Sequence, residues 1–197
     1  HSRDLKYVYN LTAHYNTEDK ILETMAVAEA HGVNTLVIHT APGVVSMLKK
    51  YRNQQGGKIQ WIICPTAQVD SDPEGYTTQV RQLADEGVDA IYLWGVSADR
   101  LVSEGKADMI AKAVEIAKEH GVPSGVGAHD LRVVKECEQR KIDADFYIKT
   151  FHHHRYASGP KPGELTRVYA EVPGYWCNNP DEVIDFMKGV EKPWIAF

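Results

Sequence analysis

An α/β fold with parallel strands is what this sequence predicts, and three observations carry that expectation. Helical and strand-like segments alternate along the chain, the joints between them repeat one phrase, and no hairpin signal links any two strands. The phrase reads "HGVNTLVIHT" at 31–40, "EGVDAIYLWG" at 86–95 and "HGVPSGVGAHD" at 120–130. In each, a helical pattern stops at a glycine, a valine follows, and an apolar strand begins two residues later. Glycine lacks a Cβ, so it can take the left-handed position that closes a helix and turn the chain directly into a buried strand.

The elements follow in order. The helix over 17–31 opens on the capping residues Asn16 and Thr17, has acids in its first turn, and sets Ile21, Met25 and Ala28 on one face. It leads to a strand over 35–40. A helix over 43–53 precedes a strand over 59–65. The next helix, 76–86, has Val80, Leu83 and Ala84 at helical spacing and leads to strand 89–94. Helix 106–120, with Met109, Ala113 and Ile116 on one face, leads to strand 123–128. Helix 131–141 leads to strand 145–151, and helix 180–189 to strand 193–197. Alternation of this kind demands crossover connections, and crossovers make strands parallel.

Two parallel architectures compete, a doubly wound open sheet and a closed (β/α)8 TIM barrel. No glycine-rich nucleotide fingerprint follows any strand, which favours the barrel. Such barrels usually take about 250 residues. The 197 residues are therefore expected to form a single barrel domain that lacks its first strand and its last βα unit.

Composition narrows the function classes. With 22 Lys and Arg against 27 Asp and Glu, the net charge of -5 disfavours a nucleic-acid surface, and "LKKYR" at 48–52 is only a short solvated helix face. No apolar run reaches about 18 residues, so no membrane span is expected. Cys64, Cys137 and Cys177 are odd in number and form no CxxC, which fits a reducing, cytoplasmic compartment better than a disulfide framework. A leader preceding His1 would not be visible in this sequence.

The segment "AVAEAHGVNTLVIHTAPGV" resembles the second βα unit of the aldo/keto reductases, "DAIYLWGVSAD" their fourth strand, and "IAKEHGVPSGVGAHDLRVVKECEQ" a later strand and helix. The resemblance spans roughly residues 20–140 and implies a barrel with an NAD(P) cofactor. Its catalytic tetrad is missing: His39 stands where that family has its aspartate, Trp94 or Gly95 where it has its strand-four histidine, and "IQWIICPT" has no lysine. "HSRDL", "GVGAHD" and "YWCNNPDE" with "KPWIAF" also resemble a group of uncharacterised bacterial TIM-barrel proteins.

Barrel active sites lie at the carboxyl ends of the strands, and alternate residues of each strand point inward. On that reading His39, Cys64, Trp94, His129 and Lys149 face the mouth, with Tyr147 sharing the interior and Phe146 and Ile148 facing the helices. Lys149, His129 and His39 are the candidate catalytic residues. A lysine desolvated enough to be neutral could attack a carbonyl, and histidines carry protons near neutral pH. Trp94, Cys64, Tyr147, Trp176 and Asp130 are the candidate substrate-binding residues. His39, His129 and His153 could instead converge on a divalent metal, Zn²⁺ or Mn²⁺. His31 and His120 precede helix-closing glycines and read as structural. The function expected is an enzyme acting on a small polar carbonyl compound, a sugar or a hydroxy or oxo acid, by lyase (aldol-type) or isomerase chemistry. An oxidoreductase with a rebuilt site and a non-catalytic binding barrel are the alternatives. The partner is a small-molecule substrate, and homo-oligomerisation stays open.

Overall fold

The structure, a computed structural model, describes residues 9–151, 177 and 179–197. Its elements are α1 (Tyr9–Tyr15), α2 (Glu18–Ala30), β1 (Thr35–His39), α3 (Val44–Gln55), β2 (Gln60–Cys64), α4 (Pro73–Asp85), β3 (Ala90–Leu93), α5 (Gly95–Ser103), α6 (Asp108–Glu119), β4 (Ser124–Ala128), α7 (Leu131–Gln139), β5 (Phe146–Lys149), α8 (Pro180–Met187) and β6 (Trp194–Ala196). Helices α1 and α5 are additions to the sequence reading, and the other elements fall where periodicity puts them.

The strands make one all-parallel sheet in the order β1-β2-β3-β4-β5-β6. This corrects the expected closed eight-stranded TIM barrel. The described residues hold six strands, and the order leaves β1 and β6 as edges. Alternation dictates parallel pairing and crossovers, but it fixes neither the number of strands nor closure. The expectation of further strands comes from the usual size of a barrel and from the resemblance to barrel proteins, and alternation by itself does not supply them. Among the described residues the order does not reverse either, so these strands have no switch point of the doubly wound kind.

The chain divides into two compact units, the first ending at Trp61 and the second beginning at Ile62. In the first, the Thr17 side chain accepts the Lys20 N–H to cap α2, whose buried residues are Leu22 and Met25. Helix α3 buries Met47, Leu48 and Tyr51. Tyr51 donates to Glu29, and burial with that contact pushes its hydroxyl up to about 12. Lys50 adds an ion pair to Glu18 at 2.7 Å, and the Arg52 guanidinium lies 3.5 Å over the Trp61 ring.

In the second unit, the register sorts strand residues onto two faces. Leu93, Val126, Tyr147 and Trp194 share one row, and Ala128 and Lys149 share the next row on the same face. This face packs under helices. The Tyr147 hydroxyl donates to Glu138 of α7 at 2.6 Å, and Lys192 sits 5.5 Å over its ring. The other face carries Tyr92, Gly125 and Phe146, whose ring lies so close over Gly125 that a Cβ there would be 2.3 Å from it. Tyr147 and Lys149 therefore do share a face, but it is the helix-covered one. Phe146 and Ile148 lie on the opposite face. The expected inward set is reversed at β5.

Candidate functional site

The carboxyl end of β4 is built around two glycines. A Cβ on Gly127 would lie 2.8 Å from the Gly95 nitrogen and 2.9 Å from the Leu93 oxygen, so only glycine lets β4 approach the β3–α5 corner this closely. A Cβ on Gly95 would lie 3.1 Å from His129 Cε1. The corner is thus shaped to admit the imidazole.

Helix α5 starts at once after β3, and its buried residues include Ala98, Asp99 and Leu101. Asp99 is 1% exposed, and its carboxylate accepts hydrogen bonds from three donors. Oδ1 takes the backbone N–H of His129 and of Asp130, each at 3.0 Å, and Oδ2 takes His129 Nδ1 at 2.6 Å. Three donors compensate a buried charge that would otherwise cost several kcal/mol. The same contact decides the tautomer of His129. With the Nδ1–H donating its hydrogen bond to the carboxylate, the ring lone pair is on Nε2. The His129 side chain is 12% exposed, and the Phe197 ring stands edge-on to it at 6.1 Å between centroids.

Helix α5 is held in place by the β2–α4 connection. Arg100 donates from Nη2 to Asp70 Oδ1 at 2.6 Å and from Nη1 to Oδ2 at 3.0 Å, while Lys106 reaches Oδ2 at 3.1 Å. The Arg100 guanidinium, with Lys106 beside it, holds the Asp70 carboxyl well below the usual carboxylate range. Gln68 Oε1 accepts from Ser97 Oγ at 2.9 Å and from Arg100 Nη2 at 3.2 Å.

Lys149 ends β5 as the register partner of Ala128 and is 0% exposed. Its Nζ donates to the His129 oxygen at 2.8 Å and to the Thr150 oxygen. Burial lowers its pKa, opposed by the nearby Cys177, Asp99 and Asp130. Asp130 caps α7 through the Arg132 N–H at 2.9 Å.

Of the residues singled out from sequence, His129, Asp130 and Lys149 come together here. Trp94 stands at the N-cap of α5, and its oxygen accepts the Ala98 N–H. Cys64 is buried at the end of β2, where it hydrogen-bonds the Tyr92 side chain, on the face away from Lys149. Tyr147 is committed to Glu138 among the helices, so it lines no mouth. His39 belongs to the first unit, exposed at the last position of β1. His153 and Trp176 lie outside the described residues. Among the described residues, no group of three or more His, Cys, Asp or Glu is placed to hold a metal ion.

Two residues of this cluster were missed from sequence, Asp99 and Thr150. The signal for Asp99 was an acid on the stripe Gly95, Ala98, Asp99, Val102, where helical spacing demands burial. No protein-family model matches the chain, and no curated protein matches it. Among the described residues, no helix is long and apolar enough to cross a membrane.

Proposed function

We propose that the chain is an enzyme that moves a proton next to the carbonyl of a small polar compound, a sugar or a hydroxy or oxo acid, in a lyase or isomerase step. His129 is the base and Asp99 its orienting carboxylate. The observation that carries this reading is the 2.6 Å contact from His129 Nδ1 to an aspartate that is itself buried and held by two backbone N–H groups. An imidazole so held has its lone pair on Nε2, and the carboxylate stabilises the imidazolium formed when Nε2 takes a proton. Lys149 supports the same corner, since its Nζ binds the oxygen of the residue that carries the base.

A second reading makes Lys149 the nucleophile of an aldol-type step. Burial favours it, because a lowered pKa makes the neutral amine more available. Its two bonds to carbonyl oxygens weigh against it, as both must break before the amine can reach a substrate carbon.

The test is hydrogen–deuterium exchange at carbons next to the carbonyl of small 2-oxo acids, hydroxyaldehydes and ketoses in D₂O, followed by proton NMR. The wild-type protein exchanges at least one of them, and His129→Asn and Asp99→Asn each slow that exchange by roughly 10²-fold or more. Equal rates in wild type and His129→Asn remove the base. Borohydride added with the same compounds decides the second reading, which requires a mass adduct on Lys149.

A further inference from the structure

Thr150, directly after β5, is 0% exposed, yet its Oγ1 has no hydrogen-bond partner among the described residues. Buried hydroxyls are ordinarily paired, so an orphan beside a reactive group points to a ligand. The backbone ladder continues through this residue. Its N–H donates to the Ala128 oxygen at 3.0 Å, and the Phe151 N–H donates to the Phe197 oxygen at 2.7 Å. Alternation therefore puts the Thr150 side chain on the face of Phe146 and Ile148, away from Lys149. One step beyond the Ala128–Lys149 pair, Thr150 stands level with His129. The His129 and Phe197 rings, on either side of it, approach to 6.1 Å. Thr150 thus lies on the strand between the one that leads to the base and the one that leads to the aromatic ring.

We infer that Thr150 is the substrate-binding hydroxyl of this site, donating its Oγ1–H to the carbonyl oxygen of a small oxo compound whose neighbouring C–H faces His129. The inference rests on the reading of His129 as base and deepens it. In the step, the C–H bond breaks, its proton passes to His129 Nε2, and its electron pair becomes the C=C bond of an enolate. The carbonyl π pair moves onto the oxygen that Thr150 binds. Thr150 keeps its own proton, no electrons leave the substrate, and the imidazolium returns a proton to the same carbon as the C=O bond re-forms. A donor aimed at that oxygen strengthens as negative charge develops there.

The test uses Thr150→Val, which keeps the shape and deletes the hydroxyl, and Thr150→Ser, which restores it. Pyruvate, 2-oxobutyrate, glycolaldehyde and dihydroxyacetone are the probes, with binding read by ligand-detected NMR and exchange at carbon read in D₂O. An orphan hydroxyl has no protein bond to lose, so Thr150→Val melts no lower than wild type. Its affinity for a bound probe falls roughly tenfold and Thr150→Ser recovers most of it. A lowered melting temperature in Thr150→Val overturns the inference, because the hydroxyl then serves the fold. Affinities unchanged by Thr150→Val for every probe, including none detectable in either protein, overturn it as well. Failure of the base reading looks different: wild type binds a probe, Thr150→Val weakens that binding, and no C–H exchanges.

Discussion

At Lys149 burial and charge conflict most directly. Its ammonium is out of water, its bonds go to two neutral carbonyl oxygens, and the acids that favour its charge do not offset the desolvation. Because its folded pKa is lowered, the folded chain gives up this proton at lower pH than the unfolded chain, whose lysine titrates near about 10.4. Between those two values unfolding takes up a proton, so this group makes stability rise with pH, by at most about 1.4 kcal/mol per pH unit. Below the folded value both states are protonated, and the full cost of the buried charge persists. Lys149→Met removes the titration. The stability of wild type relative to this variant, from urea unfolding between about pH 7 and about pH 10.5, increases toward the higher pH. A difference that stays flat across that whole range means that Lys149 titrates as in the unfolded chain. At the same scale, His31 and His120 each place Nδ1 on the carbonyl four residues back, Val27 at 2.8 Å and Ile116 at 2.9 Å. Those histidines close helices, as their position before glycine implied.

At the scale of elements, the repeated phrase proves to be one mechanical joint used several times. Gly32, Gly87 and Gly121 have φ of +92°, +72° and +73°, and the next N–H of each, from Val33, Val88 and Val122, reaches back to Ala28, Leu83 and Ala117. The same joint recurs after α7 with Lys141 at φ +54° and Ile142 bonded to Cys137. A side chain in that region is strained, so Lys141→Gly raises stability by roughly 0.5–1 kcal/mol in a thermal melt. A lower melting point would show that the exposed lysine contributes more than its backbone costs. These joints made the helix-to-strand turns legible from sequence. Helix α5 offered the sequence only its short stripe Gly95, Ala98, Asp99 and Val102, and no signal for where it starts. It begins at a glycine, directly after a strand, with no side-chain cap and no acid in its first turn. With α5 unseen, Asp99 had no element to sit on, and His129 could be found without the partner that orients it. Which face of β5 is inward was also closed to sequence, because "FYIK" is buried at all four positions and its alternation therefore carries no direction. Asp70→Asn tests what holds α5. The folded carboxyl is depressed, so its stabilisation is present above the unfolded value of about 3.9 and is lost as pH falls through the folded value. The variant loses about 2 kcal/mol at pH 7, and its difference from wild type shrinks below pH 4. A penalty as large at pH 2.5 as at pH 7 assigns the loss to something other than the Arg100 ion pair.

For the molecule as a whole, the sheet order makes a claim about where stability resides. Strands β3, β4 and β5 are buried at every position, whereas β1 is half-buried and ends exposed, and β6 has no fully buried residue. A closed ring has no edges, so its strands should be protected much alike. Among the described residues β1 and β6 stand at the two ends of the strand order, and local opening there exposes less surface than global unfolding does. Native-state hydrogen exchange separates the two arrangements. The Ile91 and Tyr147 N–H groups, bonded to the Pro123 and Pro193 oxygens at 2.9 Å each, exchange only through global unfolding, and their opening free energies fall steeply with urea. The amides of Leu36, Val37 and Ile195 exchange through smaller openings that urea barely alters. The candidate site, at the ends of β4 and β5, then sits on the most protected part of the sheet, and that rigidity is what fixed positions for His129, Asp99 and Thr150 require. Protection that is uniform from β1 to β6, with one urea dependence throughout, would mean that the sheet has no edges in solution and that these strands belong to a closed ring.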